Sequence, residues 1–401
     1  MTCAGIICEF DPFHNGHKYL IDKAREAGAD AAVCVMSGDF TQRGEPSLWD
    51  KFKRAEAAVA CGADLVLELP AVYAVNSADL FARGGIRILK RLGCIDMLAF
   101  GSECADIEKL RMIAGVTAHE PEEFSLRLRA LLSDGLSYAA ACRKALADLY
   151  SEDLASVLDG SNDILNVCYI RESMLQEVDM AFLPVKRRGA SYGSGAAEGS
   201  FASAGHIRNA VLNGQDRGYR DLMPDKALAV LSVTEARPDP AYLYSIARHR
   251  ILTAGPAALR EIPDVSEGLE MRLIQAAQTE DTVESFLEAV STRRYSKARI
   301  SRILVRILLG IDRKAQDRLE INSIAYAKVL AFNDTGAKIL KTASEKGDIG
   351  IVSNINKYVP ENDAERLSLD IDVRSSDVYS ILCRRSLADH SDRVRIPVLL
   401  K

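Results

Sequence analysis

The sequence predicts an α/β protein: a parallel sheet covered by helices, carrying a helical insertion and joined to a mainly α-helical C-terminal domain. Three observations predict it. The first hundred residues alternate short apolar runs with helical patterns; the chain beyond Gly214 reads mostly at helical spacing; and 401 residues suffice for two or three domains. The composition, 48% hydrophobic and 27% charged with a mean hydropathy of −0.03, is that of a globular chain. It excludes the disordered, collagen-like and membrane classes.

The apolar runs Gly5 to Cys8, Ala31 to Met36, Asp64 to Leu69 and Ile95 to Phe100 have the length and branched side chains of buried strands. Between them, Lys18 to Ala27 and Lys51 to Cys61 repeat apolar residues every three or four positions, the helical period. From about 106 to 160 strand signals vanish and helix formers dominate, which marks the insertion. A further strand, Met180 to Val185, leads into Lys186-Arg187-Arg188 and a Gly/Ser-rich loop from Gly189 to Ser200. A helix is expected from near Ser203 through Ile207 to Val211.

Asn213-Gly214 sets the expected boundary, giving a sheet domain over 1–215 and a helical domain over 216–401. The second is expected to be helical to about Lys346, with breaks at Gly255-Pro256 and near Gly310. The last fifty residues mix helix with short extended runs such as Ile349 to Val352.

With 51 Lys+Arg against 56 Asp+Glu the net charge is −5, which argues against indiscriminate coating of nucleic acid but leaves room for a local basic face. No stretch approaches the length of a membrane span, and the N-terminal residues lack a signal peptide's basic start and cleavage site. A cytoplasmic protein without membrane partners is expected. None of the nine cysteines forms a Cys-x-x-Cys pair, and Cys8, Cys34 and Cys168 sit among apolar residues, so reduced core thiols are expected.

The strongest chemical signal is Phe13-His14-Asn15-Gly16-His17, just after the first strand and at the mouth of the first helix. Two imidazoles beside a helix N-terminus, separated by a glycine that lets backbone approach a ligand, suit a triphosphate. The plainer alternative is a turn whose histidines cap the helix. Zinc would want more ligands: Glu9 and Asp11 are near in sequence, but no third His or Cys is obvious, so no metal site is assigned.

His-x-Gly-His after strand one resembles the signature of the nucleotidyltransferase α/β-phosphodiesterase superfamily. The fuller string Glu9-Phe-Asp-Pro-Phe-His-Asn-Gly-His17 resembles the bacterial tRNA(Met) cytidine acetate ligase family, which carries Glu-Tyr-Asn-Pro-Phe-His-Asn-Gly-His. Further matches are Met36 to Pro46, Gly62 to Pro70, Phe100 to Glu103, Ser161 to Leu165 and Tyr326 to Asn333. Of these, Gln42-Arg-Gly-Glu-Pro46 is the most specific.

The resemblance implies a Rossmann-like nucleotidyltransferase domain and an enzyme that activates acetate with ATP. The acetyl-adenylate then acetylates the wobble cytidine of elongator tRNA(Met), giving N4-acetylcytidine. It implies His14 and His17 as catalytic residues. The ATP site would take Ile7, Cys8, Glu9, Phe10, Asp11, Pro12, Phe13, His14, Asn15, Gly16, His17, Lys18, Tyr19 and Leu20. Gly101, Asn162, Arg187, Arg188, Ser203 and Arg208 would complete it, with Mg2+ accompanying ATP. The plain alternatives are a helix cap for Asn162 and a solvated strand end for Arg187 and Arg188. Two other functions stay open: a small-molecule adenylyltransferase or cytidylyltransferase, and a catalytically impaired nucleotide- or RNA-binding protein.

One departure bears on that last alternative. Ser203-Ala-Gly-His-Ile-Arg208 stands where the family has Ser-Ala-Thr-Ser-Ile-Arg, so Gly205 and His206 replace two hydroxyl residues. The loop Gly189 to Ser194 also lacks the acid and histidine of the family's Gly-Tyr-His-Asp.

The stretch Arg293 to Arg306 holds six cations and no acid. On a helix Arg299, Arg302 and Arg306 share a face, while Ile300, Ile303, Leu304 and Ile307 lie away from it. A solvated helix face is the common outcome. Given the resemblance, Arg293, Lys297, Arg299, Arg302 and Arg306 are expected to contact tRNA, and Tyr295 to stack on an unpaired base. Two stretches are set aside: Gly189 to Gly199 lacks the Gly-Lys-Ser/Thr of a P-loop, and Asp370, Asp372 and Asp377 read as solvated acids.

Overall fold

The computed structural model describes residues 1–188, 199–215, 218–231, 236–321 and 326–401. The glycine-rich Gly189 to Ser194 segment lies outside them. At the centre is an eight-stranded sheet: β1 (Cys3–Cys8), β2 (Ala31–Ser37), β3 (Leu65–Leu69), β4 (Met97–Ser102), β5 (Ala181–Lys186), β6 (Tyr326–Phe332), β7 (Gly350–Val352) and β8 (Val398–Leu399). Its order is β5-β4-β1-β2-β3-β6-β7, with β8 also on β6. The first five strands are parallel, as the alternation of runs and helices predicts.

Both faces of β1 and β2 are covered, which is why they read as unbroken apolar runs. Val33 and Val35 enter one core, Ala32, Cys34 and Met36 the other. From β1 the chain winds to β2 and β3 on one side, then crosses to β4 and β5 on the other. The crevice at the reversal, between the carboxyl ends of β1 and β4, is where such sheets bind ligands. The insertion between β4 and β5 is helical, from Ile107–His119 to the short turn Ser156–Asp159.

The second half departs from expectation. The sheet crosses the boundary drawn at 215: β6 lies antiparallel to β3, and β7 and β8 extend from it. Tyr326 to Phe332 is a seven-residue run, buried through Ala331, and, being apolar on both faces but for Lys328, it carries no strand period by which to tell it from a buried helix turn.

What fastens β6 is ionic. Glu68 of β3 lies directly opposite Lys328 of β6, and the Lys328 Nζ is 2.7 Å from Glu68 Oε2. Lys51 Nζ sits 2.8 Å from Glu68 Oε1 and 2.7 Å from Asp392 Oδ2, which Lys328 also contacts. All four side chains are at most 5% exposed. Burial opposes ionisation of Asp392, but Lys328 and Lys51 outweigh it and hold its pKa down to about 2.

Asp372 was read above as a solvated acid, and the structure corrects this. It is fully buried on helix Asp363–Leu382, accepting hydrogen bonds from the Ala71 N–H and the Tyr326 hydroxyl. Burial and the nearby Glu68 push its pKa up to about 7. Asp370 is exposed. Among the described residues no helix is long and apolar enough to cross a membrane.

Removing one partner of a buried ionic group strands the others without solvent. Lys328→Ala is expected to cost about 3–5 kcal/mol in urea unfolding, whereas Lys341→Ala, from the exposed pair Lys341–Glu345, leaves the midpoint in place.

Candidate active site

Helix Asn15–Glu26 starts directly behind β1, and its N-terminus is capped by the two histidines of the motif. His14 is the N-cap: its Nδ1 accepts from the Gly16 N–H at 3.0 Å. His17 reaches back, its Nδ1 accepting from the His14 N–H at 3.2 Å. This is the reciprocal pattern of a capping box, made here with imidazoles. The rings stack with centroids 3.7 Å apart, and Phe10 packs on His17 at 4.7 Å. Gly16 is required sterically, because a Cβ there would lie 2.8 Å from His14 Cε1.

The caps decide the chemistry. An Nδ1 that accepts a hydrogen bond carries no proton, so the neutral ring bears its N–H at Nε2. Burial, with the Arg187 charge behind it, pulls the His14 pKa down to about 3. Burial, then His14, then Arg187 lower His17 well below the ordinary range. Both rings are therefore neutral donors at physiological pH. The helix-capping alternative and the phosphate-binding one are compatible, since capping uses one nitrogen and leaves the other.

These rings line a cleft of about 450 Å³ at the switch point. Its floor is the end of β1, and its sides are the ends of β4 and β5, helix Ser161–Leu175, the start of helix Ala204–Leu212, and the loop 41–45. Arg187 reaches Asn162 Oδ1 at 3.4 Å, and its stem lies 3.4 Å from where a Cβ at Gly101 would be. Asn162 does not cap its helix; its amide donates to Glu103. Arg188 lies over the Tyr19 ring at 4.6 Å. Arg208 joins three segments by pairing with Asp11 and with Glu45 at 3.3 Å.

Most of the expected ATP-site residues line this cleft: Ile7, Cys8, Glu9, Phe10, Asp11, His14, Gly16, His17, Tyr19, Leu20, Gly101, Asn162, Arg187, Arg188, Ser203 and Arg208. Four do not. Phe13 is fully buried in the core, and Pro12 is buried beside it. The Asn15 amide is spent on the Ser200 and Asp221 carbonyls, and Lys18 pairs with Asp22 along its own helix. Ser203 caps its helix by accepting from the His206 N–H at 3.2 Å. Of the two substituted positions, Gly205 lines the cleft and His206 does not; a Cβ at 205 would meet only Ser203 Oγ, at 4.0 Å.

Sequence reasoning missed Thr41, Gln42, Arg43 and Glu45 as a cleft wall, although the Gln42-Arg-Gly-Glu-Pro46 string marked the last three. It also missed Asn166 and Tyr169, one and two turns along the helix from Asn162.

The basic stretch forms helix Lys297–Leu309 with Ile300, Ile303, Leu304 and Ile307 buried, as the spacing predicts. Three of its four cations, however, face protein. Arg306 is 1% exposed and binds Asp264 at 2.6 Å, Asn76 Oδ1 at 2.7 Å and the Val75 carbonyl at 3.2 Å, so it cannot meet a phosphate. Arg299 pairs with Asp264 at 3.1 Å. Arg302 donates to the Gln42 carbonyl at 3.2 Å, and burial with Arg306 nearby lowers its pKa to about 10. Tyr295 is buried with its hydroxyl 3.1 Å from Ser266 Oγ, which removes it as a stacking platform. Arg293 and Lys297 are exposed.

This helix instead braces the cleft. Gly44, at φ 78°, lies so close that a Cβ would fall 2.3 Å from the Arg302 backbone nitrogen, and Ser301 Oγ donates to its carbonyl at 3.1 Å. Loop 41–45 is thereby set on the C-terminal half of the chain.

A switch-point cleft with paired imidazole donors at a helix N-terminus defines a nucleotidyltransferase-type α/β protein. Residues 1–393 match the family described as HIGH Nucleotidyl Transferase. The tRNA(Met) cytidine acetate ligase of Acetivibrio thermocellus is 35% identical over 97% of this chain and 96% of its own length. That of Caldanaerobacter subterraneus subsp. tengcongensis is 36% identical over 95% of each. Among solved structures, Thermotoga maritima TmcAL matches in its apo form with TM-score 0.93 and 31% identity over all of both chains. The same protein bound with alpha-thio ATP matches at 0.91 and 30%, again over all of both chains. The chain belongs to the tRNA(Met) cytidine acetate ligase family of HIGH nucleotidyltransferases.

The low histidine pKa fixes a sign. Between about pH 6.5 and 3 the unfolded chain binds protons that folded His14 refuses, so this stability is complete above about pH 6.5 and is lost as pH falls. His14→Asn keeps a good N-cap without the titration. It is expected to flatten the loss of the urea midpoint between pH 6.5 and 4, while changing the pH 7.5 midpoint little.

Proposed function

We propose that the protein joins acetate to ATP, releasing pyrophosphate, and passes the acetyl group from acetyl-adenylate to the wobble cytidine of elongator tRNA(Met). Acetate is anionic at neutral pH, since carboxyl pKa values lie near 4. Its attack on the α-phosphorus needs no base. It needs alignment and donors for the charge that shifts onto the phosphate oxygens.

The observation that carries this reading is the pair of neutral imidazoles fixed as Nε2–H donors at the cleft's helix N-terminus. Neutral donors stabilise phosphate oxygens without a counter-charge that would trap product. Arg187, Arg188 and Arg208 supply positive charge to the same cleft. Arg208 is held by Asp11 and Glu45, and triphosphate competes with those carboxylates for it. Near-full-length similarity to ligases of this name, and to a structure bound with alpha-thio ATP, supports the same reading.

Mg2+ is expected to arrive on the phosphates of ATP. Asp11 and Glu45 are already committed to Arg208, and among the described residues no cluster of three His, Cys, Asp or Glu is placed to hold an ion. For tRNA, Arg293 and Lys297 remain as solvent-facing contacts from the basic stretch, and Arg299 and Arg302 act through the protein they bind.

The test is acetate-dependent exchange of labelled pyrophosphate into ATP, together with labelled acetate incorporation into elongator tRNA(Met) transcripts. Exchange without tRNA, and incorporation abolished by a wobble C→U change, is the expected result. Nucleotide transfer to a small acceptor with no acetate dependence would instead make the protein a small-molecule nucleotidyltransferase. ATP binding with no turnover would instead favour a catalytically impaired nucleotide-binding protein, the alternative that Gly205 and His206 suggest.

A further inference from the structure

Acetyl transfer has a requirement that acetate activation lacks. As the cytidine N4 amine adds to the acetyl carbonyl it becomes cationic and strongly acidic, and one proton must leave before the amide is complete. The histidines cannot take it: each Nδ1 is occupied by a backbone N–H and each Nε2 already carries hydrogen. Burial keeps the Tyr169 phenol and the Cys8 thiol protonated.

Among the described residues three carboxylates line the cleft. Asp11 has both oxygens engaged, Oδ1 by the Leu48 N–H at 2.8 Å and Oδ2 by Arg208. Glu45 is about half exposed and leans on Arg208. Glu9 differs from both. Its Oε1 accepts from the Gln42 N–H at 2.7 Å, and its Oε2 accepts no hydrogen bond among the described residues. Its own carbonyl is held by Arg54, so the backbone at the end of β1 is fixed as well.

We propose that Glu9 is the general base of acetyl transfer, its Oε2 taking the N4 proton of cytidine. The nitrogen forms a bond to the acetyl carbon, the bond from that carbon to the adenylate oxygen breaks, AMP leaves with the electron pair, and Glu9 retains the proton until solvent removes it. This rests on the ligase reading above. Burial raises the Glu9 pKa, against the pull of the Gln42 N–H, Arg54, Arg43 and Arg208, and so makes the carboxylate a stronger base than a free one. Among the described residues, those cations, with Cys8 and Tyr169, are titratable and charged groups that face it.

The two half-reactions separate the possibilities. Single-turnover acetylation of elongator tRNA(Met) and acetate-dependent pyrophosphate exchange are measured for the wild type, Glu9→Gln and Glu9→Asp between pH 5.5 and 9. Loss of a positioned base costs about 10²–10⁴-fold. Glu9→Gln is therefore expected to slow transfer at least a hundredfold more than exchange, and to lack the rise of the transfer rate with pH that is expected of the wild type. Glu9→Asp should restore part of the rate and the pH-dependent limb. Equal loss of both half-reactions would assign Glu9 to nucleotide binding and overturn the proposal, as would transfer unchanged by Glu9→Gln. A wild type that performs neither half-reaction refutes the ligase reading itself, and this proposal with it.

Discussion

The cleft depends on how one helix end is satisfied. The first N–H groups of any helix lack intrahelical partners, and in helix Asn15–Glu26 two of the local donors are met by imidazole Nδ1 atoms rather than by hydroxyls or carboxylates. That choice sets the tautomer of both rings, keeps them uncharged and stacks them 3.7 Å apart. A serine cap would satisfy the same backbone and present nothing to a ligand. Here the local requirement of helix initiation and the requirement of phosphate chemistry are met by the same two residues.

The other walls are held from afar, and mostly by buried charge. The cross-strand pair Glu68–Lys328, with Lys51 and Asp392, ties the last third of the chain to β3. Helix Lys297–Leu309 carries that connection to the cleft, since its backbone presses on Gly44 and Arg302 holds the Gln42 carbonyl. Gln42 in turn orients Glu9. A chain of contacts thus runs from the C-terminal half to a carboxylate at the end of β1, which gives the basic helix a role in the site without nucleic acid touching most of its cations.

The parts of this arrangement that are local were legible in the sequence. β1 to β4 are parallel strands buried along most of their length, β5 is a half-buried edge strand beside them, all five read as apolar runs, and the histidine motif is contiguous. What depended on partners far along the chain was not. β6 is a short apolar run paired with a strand more than 250 residues earlier, and nothing in its own period distinguishes it. The amphipathic pattern of Lys297–Leu309 located its apolar side correctly, but no spacing on one helix can reveal that Asp264, Asn76 and the Val75 carbonyl cover the charged side. Asp372 read as solvated for the same reason. Phe13 and Asn15 lie within the contiguous motif yet serve packing and loop bracing, because in a tight strand-to-helix turn only some side chains can face the ligand.

The claim on which the functional account turns is that His14 and His17 meet the triphosphate as neutral Nε2–H donors. Long-range proton–nitrogen correlation NMR on histidine-labelled protein reads this directly, because the two ring nitrogens of each tautomer and of imidazolium have different shifts. At pH 7, with and without ATP, both rings are expected as neutral Nε2–H tautomers, with the Nε2 protons shifted on addition of ATP. Imidazolium rings, or Nδ1–H tautomers in the nucleotide complex, would contradict it.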